Sequence, residues 1–233
     1  GRTAVGAEDA VSRIDESVNK QNKGDFALWK FSKPQEPKWP SLWGDGRPGW
    51  HIEDTAITEA ELGEQYDIHG GGCDLAFPHH EAEIAQMEAI SGKEPLVNFW
   101  MHTGFLTING QKMSKSLGNF ITIHELLEKY SKETFRLFIL SSHYRSPIDY
   151  SERAVEQAEA NVERLEEFYT KISAFMRAPS LTLREGAGGK SYKKTFFDEL
   201  DDDFNTPKAL AILFELVRDG NARMAENKLD AQE

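Results

Sequence analysis

The sequence predicts an α/β portion followed by an α-helical portion, and three observations carry that expectation. Asn109-Gly110 stands between the apolar stretch 105–108 and Gln111-Lys112-Met113, the strongest short hairpin signal a sequence offers. Upstream, Tyr66-Asp67-Ile68 runs as a strand into Gly70-Gly71-Gly72, and Ile84, Met87 and Ile90 then recur at helical spacing. After Pro147, Ala158, Val162, Leu165, Tyr169, Ile172 and Met176 describe one face of a long helix over about 151–177. The α/β portion thus occupies roughly residues 1–120.

Along the chain, residues 1–46 read as an irregular connective segment. Pro34, Pro37 and Pro40 break regular structure there, as Pro48 does just beyond. Trp29, Trp39 and Trp43, interleaved with them, are expected to pack this loop onto the body. A short helix is predicted over 54–62, ended by Gly63. Pro78 suits the first turn of a second helix, which Gly92 stops. Thr122 and Glu125 form a capping-box pattern, so a helix should begin there. Residues 121–150 lead into a helical bundle over 151–233. Within it, 178–190 reads as a flexible link, and two further helices follow, the second starting at Thr206-Pro207.

Bulk properties exclude several classes of function. The formal net charge of −12 argues against a protein that coats nucleic acid, though a local patch on an acidic body could still bind RNA. No apolar run approaches the roughly 18–20 residues that span a bilayer, and no signal peptide is visible, so no membrane partner is expected and the default address is cytoplasmic. The single cysteine, Cys73, excludes an internal disulfide framework and any zinc site built on several thiolates of this chain; the usual fate of such a residue is a small buried hydrophobe. The text opens at Gly1-Arg2-Thr3 without Met and reads as part of something longer.

Chemistry-bearing residues follow the hairpin as Lys112-Met113-Ser114-Lys115-Ser116. Two lysines three residues apart on a tight loop can face one polyanion, as charge building on a pyrophosphate leaving group requires. Standing alone, the same run would read as a solvated basic loop. His79 and Glu83 are four apart and share a helical face, which suits chelation. It equally suits a helix start with acids near the positive dipole end. The glycines 70–72 make a tight turn or let the backbone approach a nucleotide.

Together with Arg47-Pro48-Gly49-Trp50-His51-Ile52-Glu53, Asp67-Ile68-His69-Gly70-Gly71-Gly72, Phe77-Pro78-His79-His80-Glu81 and Asp201-Asp202-Asp203-Phe204-Asn205-Thr206-Pro207, the lysine loop closely resembles the cysteinyl-tRNA synthetase family. The resemblance covers nearly the whole chain, most tightly 47–150. It implies the C-terminal half of a class I synthetase Rossmann-type catalytic domain, followed by a stem-contact region and the start of a tRNA-side bundle. It implies ATP-dependent ligation of L-cysteine to tRNA(Cys) through a cysteinyl-adenylate, with ATP and its Mg2+ as substrate and Zn2+ as cofactor. By this resemblance Lys115, assisted by Lys112, contacts ATP, and Gly71, Gly72 and Asp74 lie toward the adenosine. Trp50 and His69 line the cysteine pocket, while His79 and Glu83 hold zinc.

Three departures from the family pattern matter, the first being that the resemblance implies a second cysteine ligand for the zinc that has no match in these residues, Cys73 lying at a different motif position. Asp54 stands where the family's Trp-His-Ile-Glu-Cys places a thiolate; its oxygen can still ligate zinc, with harder character. The His-Ile-Gly-His signature has no match, since His102-Thr103-Gly104-Phe105 lacks the second histidine, so the chain alone is expected to be inactive. Arg136, Arg145, Lys129 and Lys132 are candidates for tRNA phosphate contact. Two other readings stay open: a ligase that joins cysteine to a small amino-sugar amine, and a non-catalytic binding module.

Overall fold

The computed structural model describes residues 21, 24–113, 118–176 and 191–226. The chain divides into two compact units, Gly1–Thr103 and Gly104–Glu233.

In the first unit a short antiparallel hairpin pairs β1 (Trp29–Phe31) with β2 (Gly46–Pro48). The prolines prevent longer strands, and two three-residue edges are what remain of a segment expected to be wholly irregular. Trp29 and Trp43 lie with ring centroids 6.4 Å apart, but Trp39 and Trp43 remain exposed, contrary to the expected packing of all three. Helix α1 runs Trp50–Leu62 and ends at Gly63, whose φ of 89° only glycine adopts freely. It starts four residues earlier than the sequence indicated. The extended Gly49 serves as its N-cap and donates its N–H to Leu28 O at 2.9 Å, so the β2 hairpin sets the start. That puts Trp50, His51 and Asp54 on one helix.

Strand β3 (Tyr66–Gly72) takes in the whole glycine run and pairs in parallel with β4 (Val97–Thr103). A parallel pair needs a crossover, here a wide turn over Ala76–His80 and helix α2 (Glu81–Ser91). As the sequence indicated, Pro78 stands in the first helical turn: Phe77 before it is extended (φ −141°, ψ 135°), and the Glu81 N–H donates to Pro78 O as the path runs on through His80 into α2. The sequence did not single out β4: Val97, Phe99 and Met101 alternate with Asn98 and His102, but the apolar Trp100 between them breaks the pattern. Met87, Leu96 and Val97 form the buried core, with Tyr66, Ile84 and Trp100 packed against it. Cys73 is exposed rather than buried, since it lies just past β3, where its N–H donates to Thr103 O.

The second unit opens with the expected hairpin, β5 (Leu106–Ile108) against β6 (Gln111–Lys112), turned by Asn109 and Gly110 at φ 52° and 74°. A third strand, β7 (Ile148–Tyr150), lies parallel to β5. Thr122 and Glu125 make the full capping box of α3 (Ile123–Leu127), and Ser131 caps α4 (Lys132–Leu140). Then come α5 (Glu152–Met176), α6 (Tyr192–Asp201) and α7 (Thr206–Ala225), the last capped by Asn205. The core joins Leu137, Phe138, Val155 and Ala158, of which the first three each contribute roughly 1.5–3 kcal/mol by leaving water. Gly220 brings α7 close to α5, for a β-carbon there would meet the Phe168 ring at 2.7 Å.

Candidate metal centre

The first unit gathers ionisable groups that sequence spacing alone does not bring together. The wide turn presents His79 just before α2, and Glu83 follows one helical turn later. Asp54 approaches from α1. His79 Nε2 lies 2.7 Å from Asp54 Oδ2 and 2.9 Å from Glu83 Oε1. One imidazole nitrogen carries at most one proton and cannot donate to both carboxylates at once.

Glu83 is 1% exposed, and no described residue donates a hydrogen bond to either of its carboxylate oxygens, although two imidazoles stand near. Its second oxygen, Oε2, faces His69 Nε2 at 3.5 Å. Burial, reinforced by the Asp54 charge, pushes the Glu83 carboxyl up to about 7. A buried carboxylate without a hydrogen-bond donor is costly unless a cation meets it. Asp54, His79 and Glu83 each offer a ligand atom, all within 4.8 Å of one another. Two oxygens and one imidazole nitrogen suit zinc and its borderline neighbours, so the residues fit a divalent metal.

Around this triad stands a wall of rings. His51 Nδ1 and His79 Nδ1 are 2.6 Å apart and share a hydrogen bond, which leaves His79 Nε2 turned toward the carboxylates. Burial, then the neighbouring His79, lowers His51 to about 4. Tyr66 OH and His69 Nδ1 share a 2.6 Å bond, and His80 Nδ1 faces His102 Nε2 at 2.8 Å. Burial lowers His69, and burial with the adjacent histidines lowers His80 to about 4. The Trp50 ring, itself half exposed, lies 4.0 Å from His79, and Trp100 lies 4.9 Å from both His69 and His80.

Of the residues singled out in the sequence, Asp54, His79, Glu83, His69 and Trp50 meet here. Gly71 sits in β3 beside them, where a β-carbon would meet Leu75 Cδ1 at 2.9 Å and His80 Cε1 at 3.0 Å. Gly72 ends the strand, and Asp74 follows at its C-terminal edge. Lys112 belongs to β6 of the second unit, and Lys115 lies outside the described residues. His51, His80, His102, Tyr66 and Trp100 were not picked out as part of this site. The doublet His79-His80 was a usable signal; His102 enters only because Gly71↔His102 are partners across the strand pair.

Among the tRNA-side candidates, Arg145 is engaged by Asp203 through Nε at 2.5 Å and Nη2 at 2.9 Å. Lys129 and Lys132 stand 3.6 Å from Glu152 and Glu133, all of them exposed. No helix among the described residues is long and apolar enough to cross a membrane.

Comparison with known proteins identifies the family. The family model for the class I (C) tRNA synthetase catalytic domain matches residues 2–160, and that for the DALR domain matches 195–233. The cysteine--tRNA ligase of Thermococcus gammatolerans is 50% identical over 228 residues, covering 94% of this chain and 48% of that protein. That of Carboxydothermus hydrogenoformans is 48% identical over 225 residues, covering 95% and 48%. The chain therefore spans about half the length of the curated relatives it matches. Among solved structures, LeuRS of Agrobacterium radiobacter K84, in its complex with tRNA and LeuAMS, superposes with a TM-score of 0.61 over 81% of this chain and 30% of that one. At 13% identity this likeness shows the fold. With the catalytic-domain model spanning most of its length, the chain belongs to the class I (C) family of tRNA synthetases.

Proposed function

We propose that this chain carries the metal centre and the ATP-facing loop of an enzyme that ligates L-cysteine to tRNA(Cys) through a cysteinyl-adenylate. The observation that carries the reading is Glu83, buried without a hydrogen bond between His79 and His69 and beside Asp54. Asp54, His79 and Glu83 would hold the zinc. Bound there, zinc supplies a Lewis-acid position that prefers a sulfur ligand to a hydroxyl, the distinction an enzyme choosing cysteine over serine needs.

The surrounding residues bind and orient. His51 holds His79 by its Nδ1, so Nε2 stays directed at the centre. Tyr66 fixes His69 in the same way. Because His51 and His80 titrate near 4, they stay neutral at physiological pH and put no competing positive charge beside the metal. Trp50 covers His79 and restricts water. Gly71, Gly72 and Asp74 lie toward the adenosine, a placement supported by their position at the C-terminal edge of a parallel strand. Lys112 and Lys115 would meet the charge that develops on the pyrophosphate, a role supported by their spacing and by the family match.

The DALR match over 195–233 favours tRNA over a small amino-sugar amine as the acceptor. The address proposed is the cytoplasm. Because His-Ile-Gly-His has no counterpart in these 233 residues, half of the phosphate cradle is missing, and the chain by itself should form no adenylate. Cysteine-dependent ATP–pyrophosphate exchange in the full-length protein that carries this sequence tests the reading. Exchange should fall on the order of 100-fold in Lys115→Ala with little change in the KM for cysteine. Serine-supported exchange as fast as that with cysteine, or an unchanged rate in Lys115→Ala, would remove the corresponding half of the proposal.

A further inference from the structure

The β5–β6 hairpin is too short to hold itself in place. Only Thr107↔Lys112 and Ile108↔Gln111 pair across it, and an isolated hairpin of that size is marginal in water. Its turn places Asn109 and Gly110 both at positive φ, and the Gly110 N–H is not part of the ladder. Beyond it, Met113 N–H donates to Leu106 O at 3.1 Å.

Asp149 supplies what the hairpin lacks. One of its oxygens, Oδ1, accepts the Gly110 N–H at 2.8 Å and the Thr107 hydroxyl at 2.7 Å. It thereby ties the tip of the turn to the first strand. The residue is delivered by β7, where Thr107↔Asp149 are register partners. Its neighbours Ile148 and Tyr150 pack against the core of Leu137, Phe138, Val155 and Ala158, and the Tyr150 ring meets Phe138 edge-on at 6.1 Å. The Thr107 and Gly110 bonds also hold the Asp149 carboxyl below the usual carboxylate range, as expected for an acceptor kept ionised. An exposed aspartate with no task would be solvated and would not place two bonds from two parts of a turn on one oxygen.

We infer that Asp149 is a positioning residue: it anchors the root of the lysine-bearing loop to the helical core, so that Lys112 and Lys115 reach the ATP phosphates from a fixed base. The inference rests on the ATP role proposed for that loop. Asp149 acts through the hairpin it ties together. Its effect is to reduce the range of positions the loop root samples, which matters most for a charge used in the transition state.

The test is cysteine-dependent ATP–pyrophosphate exchange in the full-length protein carrying this sequence, with Asp149→Ala, Asp149→Asn, Thr107→Val and Lys115→Ala side by side. Asp149→Ala should lower kcat about tenfold while the KM for cysteine stays within about twofold. Asp149→Asn keeps an acceptor oxygen and should restore kcat to within about threefold of the parent. Thr107→Val removes one of the two bonds and should fall between them, which keeps the inference testable if Asp149→Ala folds poorly. If kcat is unchanged in Asp149→Ala and Thr107→Val while Lys115→Ala is slow, Asp149 is merely structural and the inference is overturned. If Lys115→Ala is as fast as the parent, the ATP role of the loop has failed and the inference falls with it.

Discussion

His79 Nε2 stands between two carboxylates, 2.7 Å from Asp54 Oδ2 and 2.9 Å from Glu83 Oε1, and can satisfy only one of them with a proton. The arrangement is strained electrostatically without a cation and relieved with one. This predicts a crossover. In chelator, Glu83→Gln should be more stable than the parent, because the uncompensated buried charge is gone and such a group costs about 1–3 kcal/mol. In excess zinc the order should reverse, since only the parent gains from binding. Thermal melts of the two proteins with and without zinc would show it; parallel shifts in both would mean that Glu83 is no ligand.

Asp54→Cys should harvest more zinc. A thiolate in place of the carboxylate raises zinc affinity on the order of tenfold or more, while affinity for manganese falls or stays level, because hard ions gain nothing from sulfur. Cobalt substitution gives a second readout. Cys73 is not part of the triad, so the 233-residue chain should lack the intense sulfur-to-cobalt charge-transfer band, and the same chain carrying Asp54→Cys should acquire it. A strong band already present in the unsubstituted chain would place a thiolate where the structure has none.

His51 acts through His79. Replacing it with Phe removes the Nδ1 partner while keeping a ring of similar size, and zinc affinity should drop about 10–100-fold. Thermal stability in chelator should change little by comparison. Competition against a zinc indicator measures the effect, and equal affinity would show that the shared hydrogen bond does not orient His79.

In the second unit, Asp203 accepts from Tyr144 OH at 2.7 Å and from two nitrogens of Arg145. The Arg145 bond first, then that of Tyr144, lowers its carboxyl to about 2. The folded value lies below the unfolded value, near 3.8. Asp203 therefore stabilises the fold above that pH, and its contribution disappears as pH falls through about 2. The melting temperature of Asp203→Asn should thus trail the parent by a constant margin above about pH 5, with the gap closing between about pH 4 and 2. Added salt should narrow the margin at neutral pH, because the pair is exposed. A margin independent of pH would mean that the charge of Asp203 does not set the cost.

The sequence by itself determined the elements whose causes are local. Asn109-Gly110 demanded a turn with two positive φ values, Thr122 and Glu125 closed a capping box, and the apolar stripe after residue 151 required a long helix. It also singled out Asp54, His79 and Glu83, through the motifs that carry the family resemblance and the one-turn spacing of the last two. What it could not contain was the meeting of segments. Helix α1 begins at Trp50 because β2 pairs with β1 and delivers Gly49 there, and β4 exists because β3 gives it a partner. The histidines at 51, 80 and 102 reach the same wall only through that register and that helix start. Glu83 carries the contrast within one side chain. Its place four residues after His79 is written in the sequence. Its burial without a hydrogen bond, the observation on which the proposed metal site rests, arises only when α1, α2 and the β3–β4 pair close around it and remove water from its oxygens.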